Sequence, residues 1–419
     1  MGLIKDIKAT QVLKKIYGEQ AKEQLERYER IEEKFQTLFG EGEVLFFSTS
    51  GRSEIIGNHT DHNHGCVMAA GINLDTVAAV RKTEDMKIQF LSEGYPDKNI
   101  IDLNDLSLNI KERGTTKALI RGIAYRMKED LGMNIGGFQA YVQSDVLRGS
   151  GLSSSAAIEV MIYTIFNYLY NEGKLDAVEG AKISQWAENN YFGKPCGLMD
   201  QTACALGKLV FIDFNEPSAP VIEGIDFDFN KKGYSIIITD VHADHADLTA
   251  EYAAITQEMK SVAAYFGKTV LREVNERLFY ESIGDLREQV NDRALLRAMH
   301  FFEENKRVLA AVEAVKNDNM PAFLDAINAS GQSSWKLLQN THVAGSTAQA
   351  MTLGLALSRH ILGENGACRV HGGGFGGTIL AFVPHDLKQT YTEKMEKVFG
   401  KNACVELSVR PVGTICVEI

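Results

Sequence analysis

Apolar residues in the first forty positions recur at helical spacing, with Val12, Leu13, Ile16, Tyr17 and Leu25 set among charged neighbours. The pattern predicts a helix over 8–38 that Gly40 and Gly42 end. Strand-sized apolar runs follow at 43–47, 76–80 and 87–91, and the intervening 51–65 is so dense in Gly, Asn, His and Asp that it reads as a loop. A helix at 116–131 and a strand at 137–143 lead into a Gly/Ser turn at 149–155, which opens an apolar helix over 156–170. A helix at 176–192, a turn at 193–197, a short helix and a strand at 208–214 come next. Segment 215–230, with Pro217 and Pro220, is the boundary the pattern marks. Beyond it the pattern predicts helices at 249–266, 293–316, 320–340 and 345–361. Strands at 367–370 and 378–383, a helix at 386–399 and strands at 404–408 and 411–417 complete the chain. Mixed helices and strands in 419 residues, too many for one ordinary core, predict an α+β protein of two domains, 1–218 and 219–419.

Charge narrows the partners. The formal net charge is −11 and the 44 Lys and Arg are dispersed among acidic residues, so neither nucleic acid nor an anionic membrane is an expected partner. A phosphate-rich ligand would have to be held by backbone NH groups, a helix end, a metal or a few placed cations. The six cysteines are far apart with no C-x-x-C pair, as expected of free thiols in a reducing compartment. No run approaches the ~18 apolar residues that span a bilayer. Residues 1–38 lack an apolar targeting core, and a cytoplasmic location is expected.

Three segments carry candidate chemistry. In Gly149-Ser150-Gly151-Leu152-Ser153-Ser154-Ser155-Ala156, two glycines let the backbone turn tightly and hydroxyls crowd the start of an apolar helix. A helix N-terminus presents unpaired NH groups and the positive end of its dipole, an anion site suited to a triphosphate with Mg²⁺. A Ser-rich helix cap is the plainer reading, but a cap needs one hydroxyl and no G-x-G preamble. The segment is not a Walker loop: Gly267-Lys268-Thr269 has Val262 where the leading glycine must stand. The second segment, 51–65, offers Arg52, Asn58, His59, Asp61, His62 and His64. It reads as a hydrogen-bonding surface for a polyhydroxylated ligand, as a turn with solvated histidines, or as a metal site of no standard zinc spacing. The third segment sets Glu188 late in a helix and Asp200 just past a Pro/Gly turn. These are two carboxylates able to hold Mg²⁺ and deprotonate a hydroxyl, or two unrelated helix-end charges. The cluster Gly372 to Gly377 precedes a strand rather than a helix, which suits a loop bracing a site better than a dinucleotide fingerprint.

In this order the segments resemble the GHMP kinase superfamily and, within it, the galactokinase family. Residues 51–65 are similar to the signature G-R-x-N-L-I-G-E-H-T-D-Y-N-x-G and 149–157 to G-x-G-L-S-S-S-A-A. Residues 187–201 (AENNYFGKPCGLMDQ) are similar to A-E-x-x-F-x-G-x-P-C-G-I-M-D-Q, and 299–308 to a helix reading R-H-x-x-x-E-N-x-R-V. The resemblance implies a two-domain GHMP kinase fold with the active site in the interdomain cleft and a C-terminal glycine loop at 372–377. It implies a sugar 1-kinase with ATP as co-substrate and Mg²⁺, acting on small molecules in the cytoplasm as a monomer or weak homodimer. Carried over position by position, Asp200 is the catalytic base and Arg52 its partner. Ser155 and Glu188 are the Mg²⁺ ligands, Gly149 to Ala156 hold ATP, and Arg52, Asn58, His59, Asp61, Asp200 and Tyr252 face the sugar.

Departures fall on the sugar side. Asn58 stands where the signature has the glutamate that would accept from a 6-hydroxyl, Ser53-Glu54 replaces V-N, His62 replaces Tyr, and Ala253-Ala254-Ile255-Thr256 follows Tyr252 in place of N-x-R-R. Losing a carboxylate at 58 suggests a C6-altered sugar such as galacturonate beside galactose itself. A non-catalytic sugar and ATP sensor, or a kinase of the mevalonate or homoserine branch, are the competing functions.

Overall fold

The computed structural model describes residues 7–95, 98–146, 151–194, 196–242 and 248–417. Twelve strands are present among them: β1 Leu45–Ile56, β2 Cys66–Lys82, β3 Lys87–Ser92, β4 Asn99–Asp102, β5 Phe138–Ser144, β6 Leu209–Asp213, β7 Val221–Ile225, β8 Tyr234–Asp240, β9 Ala367–Val370, β10 Thr378–Pro384, β11 Cys404–Leu407 and β12 Ile415–Val417. Eight form one sheet in the order β12-β1-β2-β5-β3-β4, with β6 and β7 continuing from β2; the other four form a second sheet, β11-β8-β10-β9. All pairings are antiparallel except β3 with β5.

The chain crosses between halves more than its pattern predicts. The division at 218/219 falls between β6 and β7, which pair with each other in the first sheet, and β12 returns to pair with β1. An isolated bridge from Ile72 to Val409 ties the halves again. One apolar cluster spans both, joining Ile55, Ile56 and Met68 to Phe323, Leu380 and Phe382, so the two halves share a common core. The buried Asp75 of β2 fastens the terminal segments to this sheet. It accepts from Arg27 at 2.6 Å, Arg410 at 2.7 Å and the Tyr17 hydroxyl at 2.6 Å.

Other expectations are corrected locally. The helix over 8–38 is two, Ile7–Tyr17 and Ala21–Phe39, because Gly18 adopts φ 57° between them. The helices over 116–131 and 176–192 end as wider π turns at Arg126–Asp130 and Glu188–Phe192. Residues 51–56, read as loop, extend β1, whose polar side chains are nonetheless buried. β8, absent from the pattern reading, pairs with both β10 and β11. No helix among the described residues is long and apolar enough to cross a membrane.

Candidate active site

Strand β1 aims the first two site residues. Alternation along a strand sends Arg52 and Glu54 to one face. Register shifts against β2 at Ser50/Arg52 and Glu54/Ile56 flank the pair, and both residues line one cavity. Gly57 follows at φ 110°, where a Cβ would lie 2.7 Å from the Cys66 carbonyl oxygen. Only glycine fits that turn. Thr60 then closes it, its hydroxyl donating to the carbonyls of Gly57 at 2.9 Å and Cys66 at 2.7 Å. The result is a cavity of about 320 Å³ lined by Arg52, Glu54, Asn58, His59, Asp61, His62, Cys196, Asp200, Gly372 and Gly373, among others.

Asp200 and Arg52 form its charged end. The guanidinium grips the carboxylate with both arms, Nε to Oδ1 and Nη2 to Oδ2, each 2.8 Å. Its remaining nitrogen donates to the Gly151 carbonyl, and Ser153 Oγ donates to Asp200 Oδ2. Burial by itself would raise the Asp200 carboxyl, but the Arg52 charge and the hydrogen bonds from Arg52 and Ser153 hold it below its usual value. The carboxylate is therefore ionised at neutral pH and half-open to the cavity. Asp61 has no such cation. Burial pushes it up to about 6 against the hydrogen bond it accepts from the His62 NH.

The histidines are wired as neutral rings. Burial lowers both His59 and His62. His59 Nε2 donates to the Gly373 carbonyl at 2.9 Å, leaving its Nδ1 to accept from His62 Nε2 at 3.4 Å. Asn63 in turn donates to His62 Nδ1 at 3.0 Å. His64 does not line the cavity. Among the described residues no three His, Cys, Asp or Glu side chains are grouped to hold a metal ion, so the metal reading of 51–65 has no support.

Asn58 is less available than its position suggests. Its amide donates to Glu54 Oε1 at 3.0 Å and to the Gly372 carbonyl at 2.6 Å, while its oxygen accepts from Asn340 at 2.7 Å. Nor is the negative charge gone from this corner, since the Glu54 carboxylate stands where Asn58 touches it. Tyr252 is not brought into the cavity. Its hydroxyl donates to the Gly374 carbonyl at 3.1 Å and its ring meets Phe375 edge-on, so it braces the glycine loop at the rim. The helix that reads as R-H-x-x-x-E-N-x-R-V lies behind the turn, where His300, driven down to about 4 by burial, donates from Nε2 to the Asn58 carbonyl at 2.9 Å.

On the other side of Ser153 lies a larger cavity, about 660 Å³, reaching from Ser154 and Ser155 to Ser92–Tyr95, Ser144–Val146 and Phe192. Ser153 itself adopts φ 57° just before the helix Ser154–Tyr170, a conformation rare outside glycine and common at binding sites. Of the residues expected at ATP, Gly149 and Ser150 lie outside the described residues. The side chains of Leu152 and Ala156 are buried in the apolar clusters rather than open to the cavity, and only their backbone can serve a ligand there.

Beneath the serines three further residues surround Glu188. Gln201 Nε2 donates to Glu188 Oε2 at 2.8 Å and to Glu159 Oε2 at 3.0 Å, and Lys194 Nζ lies 3.4 Å from Glu188 Oε1. Glu159, one turn after Ser155 on the same helix, is fully buried and its Oε1 has no hydrogen-bond partner. Burial first, then the Glu188 charge, raises its carboxyl well above normal. Glu159 and Gln201 were not foreseen. A lone carboxylate on an apolar helix was the only available signal for the first, and its packing against Glu188 is a tertiary fact.

Known proteins match both the fold and the segments. The GHMP kinases N-terminal domain matches residues 118–208, and the galactokinase galactose-binding signature matches 33–82. Galactokinase from Glaesserella parasuis serovar 5 is 32% identical over 389 residues, covering 91% of this chain and 95% of that protein. Galactokinase from Clostridium tetani is 31% identical, with 88% and 92% covered. Among solved structures, Lactococcus lactis galactokinase complexed with galactose superposes with a TM-score of 0.80 at 24% identity, covering 93% of this chain and 99% of that one. Mevalonate kinase from Methanococcus jannaschii gives 0.63 at 15%, with 88% and 99% covered; these two establish the shared fold. Because the sequence likeness exceeds 30% across nearly the whole length of both proteins and includes the sugar signature on the cavity wall, this chain belongs to the galactokinase family of GHMP kinases.

Proposed function

We propose that this protein is a galactokinase, transferring the γ-phosphoryl group of ATP to the anomeric hydroxyl of galactose. The observation that carries the reading is the position of Ser153. Its hydroxyl bonds the carboxylate of the smaller cavity while the next two serines line the larger one. Two ligands seated on either side would meet at the start of one helix, where unpaired NH groups and the helix dipole favour the charge that develops in phosphoryl transfer.

In this reading the sugar occupies the cavity of about 320 Å³, and its anomeric hydroxyl faces Asp200. The ionised carboxylate accepts that proton as the oxygen attacks phosphorus. Arg52 holds the carboxylate in place and presents positive charge to the phosphoryl oxygens, and no covalent enzyme intermediate is needed. Asp61 accepts from sugar hydroxyls, and His59 and His62 complete the wall. ATP lies along the larger cavity with its phosphates at Ser153 to Ser155.

The residues at the helix start suit Mg²⁺. Ser155 and Glu188 would hold it, with Glu159 behind them. One hydroxyl and few carboxylates are the set this ion accepts when phosphate oxygens and waters fill its remaining positions, and Glu159 Oε1 is a buried oxygen left without a hydrogen-bond partner next to Glu188. When bound it neutralises phosphate charge.

Coupled ADP release with ATP, Mg²⁺ and a panel of free sugars tests the reading, together with Asp200→Asn. Galactose should be turned over, and the variant should lose at least about a hundredfold in kcat while still binding galactose. Silence across the panel in a protein that binds ATP and galactose would favour a sensor and defeat the proposal.

A further inference from the structure

The two departures at 54 and 58 are complementary. The signature has Asn and Glu at these positions and this chain has Glu54 and Asn58, so the same two side chains are present in exchanged places. The structure joins them directly, Asn58 Nδ2 to Glu54 Oε1 at 3.0 Å. An exchange between touching residues keeps one carboxylate and one amide in the corner, and moves the carboxylate from the turn onto strand β1.

Hydrogen-bond accounting assigns the two their roles. Both amide hydrogens of Asn58 are committed, to Glu54 and to the Gly372 carbonyl, and its oxygen already accepts from Asn340. Asn58 fastens the turn to the glycine loop and has no donor left for a ligand. Glu54 is held on one side only. Its Oε1 receives Asn58 and Arg369 Nη2, the latter at 2.7 Å, whereas its Oε2 has no hydrogen bond among the described residues. Arg369 is fully buried and is itself pinned by the Glu54 and Ile55 carbonyls at 3.2 and 3.0 Å. The carboxylate is therefore fixed in orientation, its free oxygen on a residue that lines the cavity.

We propose that Glu54 is the sugar-specificity residue of this enzyme: its Oε2 accepts a hydrogen bond from the galactose hydroxymethyl group, and its charge keeps out sugars with a carboxylate at C6. The inference rests on the galactokinase reading. It also reverses the expectation drawn from Asn58 alone, because the corner that seemed to have lost its negative charge retains it.

The test is steady-state kinetics of wild type, E54Q and the double exchange E54N/N58E with galactose, 6-deoxygalactose and galacturonate. Removing a charged acceptor from a buried hydrogen bond should raise the galactose KM of E54Q about ten- to a hundredfold with kcat within about threefold. It should also let galacturonate be turned over, which wild type should not do. The double exchange restores the arrangement of the signature and should bring the galactose KM back to within about threefold of wild type. Wild type should itself show a raised KM for 6-deoxygalactose, a readout independent of any variant's folding. The inference is overturned if wild type handles galactose and 6-deoxygalactose alike, if folded E54Q keeps the wild-type KM, or if the double exchange is no better than E54Q. Wild type inactive on every sugar would instead remove the galactokinase reading on which the inference stands.

Discussion

Arg52→Lys separates charge from geometry at the site of transfer. The guanidinium makes two 2.8 Å bonds to Asp200 and a third to the Gly151 carbonyl, with its side chain only 8% exposed. An ammonium keeps the charge but can replace only one arm of the fork. Each charge-assisted bond lost in so dry a place costs about 1.5–3 kcal/mol, or about 10- to 150-fold in rate if it acts in the transition state. A second effect has a definite sign. Burial raises the Asp200 carboxyl and Arg52 is the largest force lowering it. Loosening that grip should move the acid limb of the kcat profile to higher pH. ADP release measured across pH, with galactose and ATP saturating, reads both effects, and a thermal melt establishes that the variant is folded. A folded R52K with kcat within about threefold of wild type and an unmoved acid limb would refute the assignment of Arg52 as the partner that orients and ionises the base.

Three predictions depend on pH. Asp61 is pushed up to about 6 by burial, so kcat/KM for galactose should fall as pH drops through about 6, and Asp61→Asn should flatten that limb while raising KM. The same shift makes the folded, ligand-free protein bind more protons than the unfolded chain between 3.8 and about 6. The contribution of Asp61 to stability should therefore decline as pH rises through that window, measurable without sugar as the pH dependence of the Tm difference between wild type and Asp61→Asn. Asp75 has the opposite sign. Burial would raise it, but Arg27 and Arg410 hold it near about 2, so it contributes stability above pH 3.8 that is lost as pH falls toward about 2. Asp75→Asn leaves the buried Arg410 without its anion and Arg27 with only the partly exposed Asp145 at 3.1 Å, and should cost about 3–5 kcal/mol in denaturant unfolding at neutral pH.

What the sequence determined by itself is the chemistry that is local in the chain. A helix start needs its hydroxyls and glycines next to each other, so Gly151 to Ser155 could be read as an anion site before any fold was known. The segment 187–201 likewise carries its carboxylates within one stretch, and its resemblance to the galactokinase motif pointed to Asp200. Most helices were legible because a 3.6-residue apolar period extends over many turns. The tertiary structure decided what depends on partners distant in sequence. Residues 51–56 look like loop because Gly51 is followed by the polar Arg52, Ser53 and Glu54, yet they form buried strand, since the neighbouring segments supply hydrogen bonds to these polar groups that an apolar core would not. Strand β7 and strand β12 join a sheet hundreds of residues away or across the apparent boundary, and pairing of that kind leaves no local signature. The same reason governs the specificity corner. Asn58 alone suggested a missing charge, and only the fold, by setting Glu54 and Arg369 beside it, showed that a carboxylate still stands in that corner.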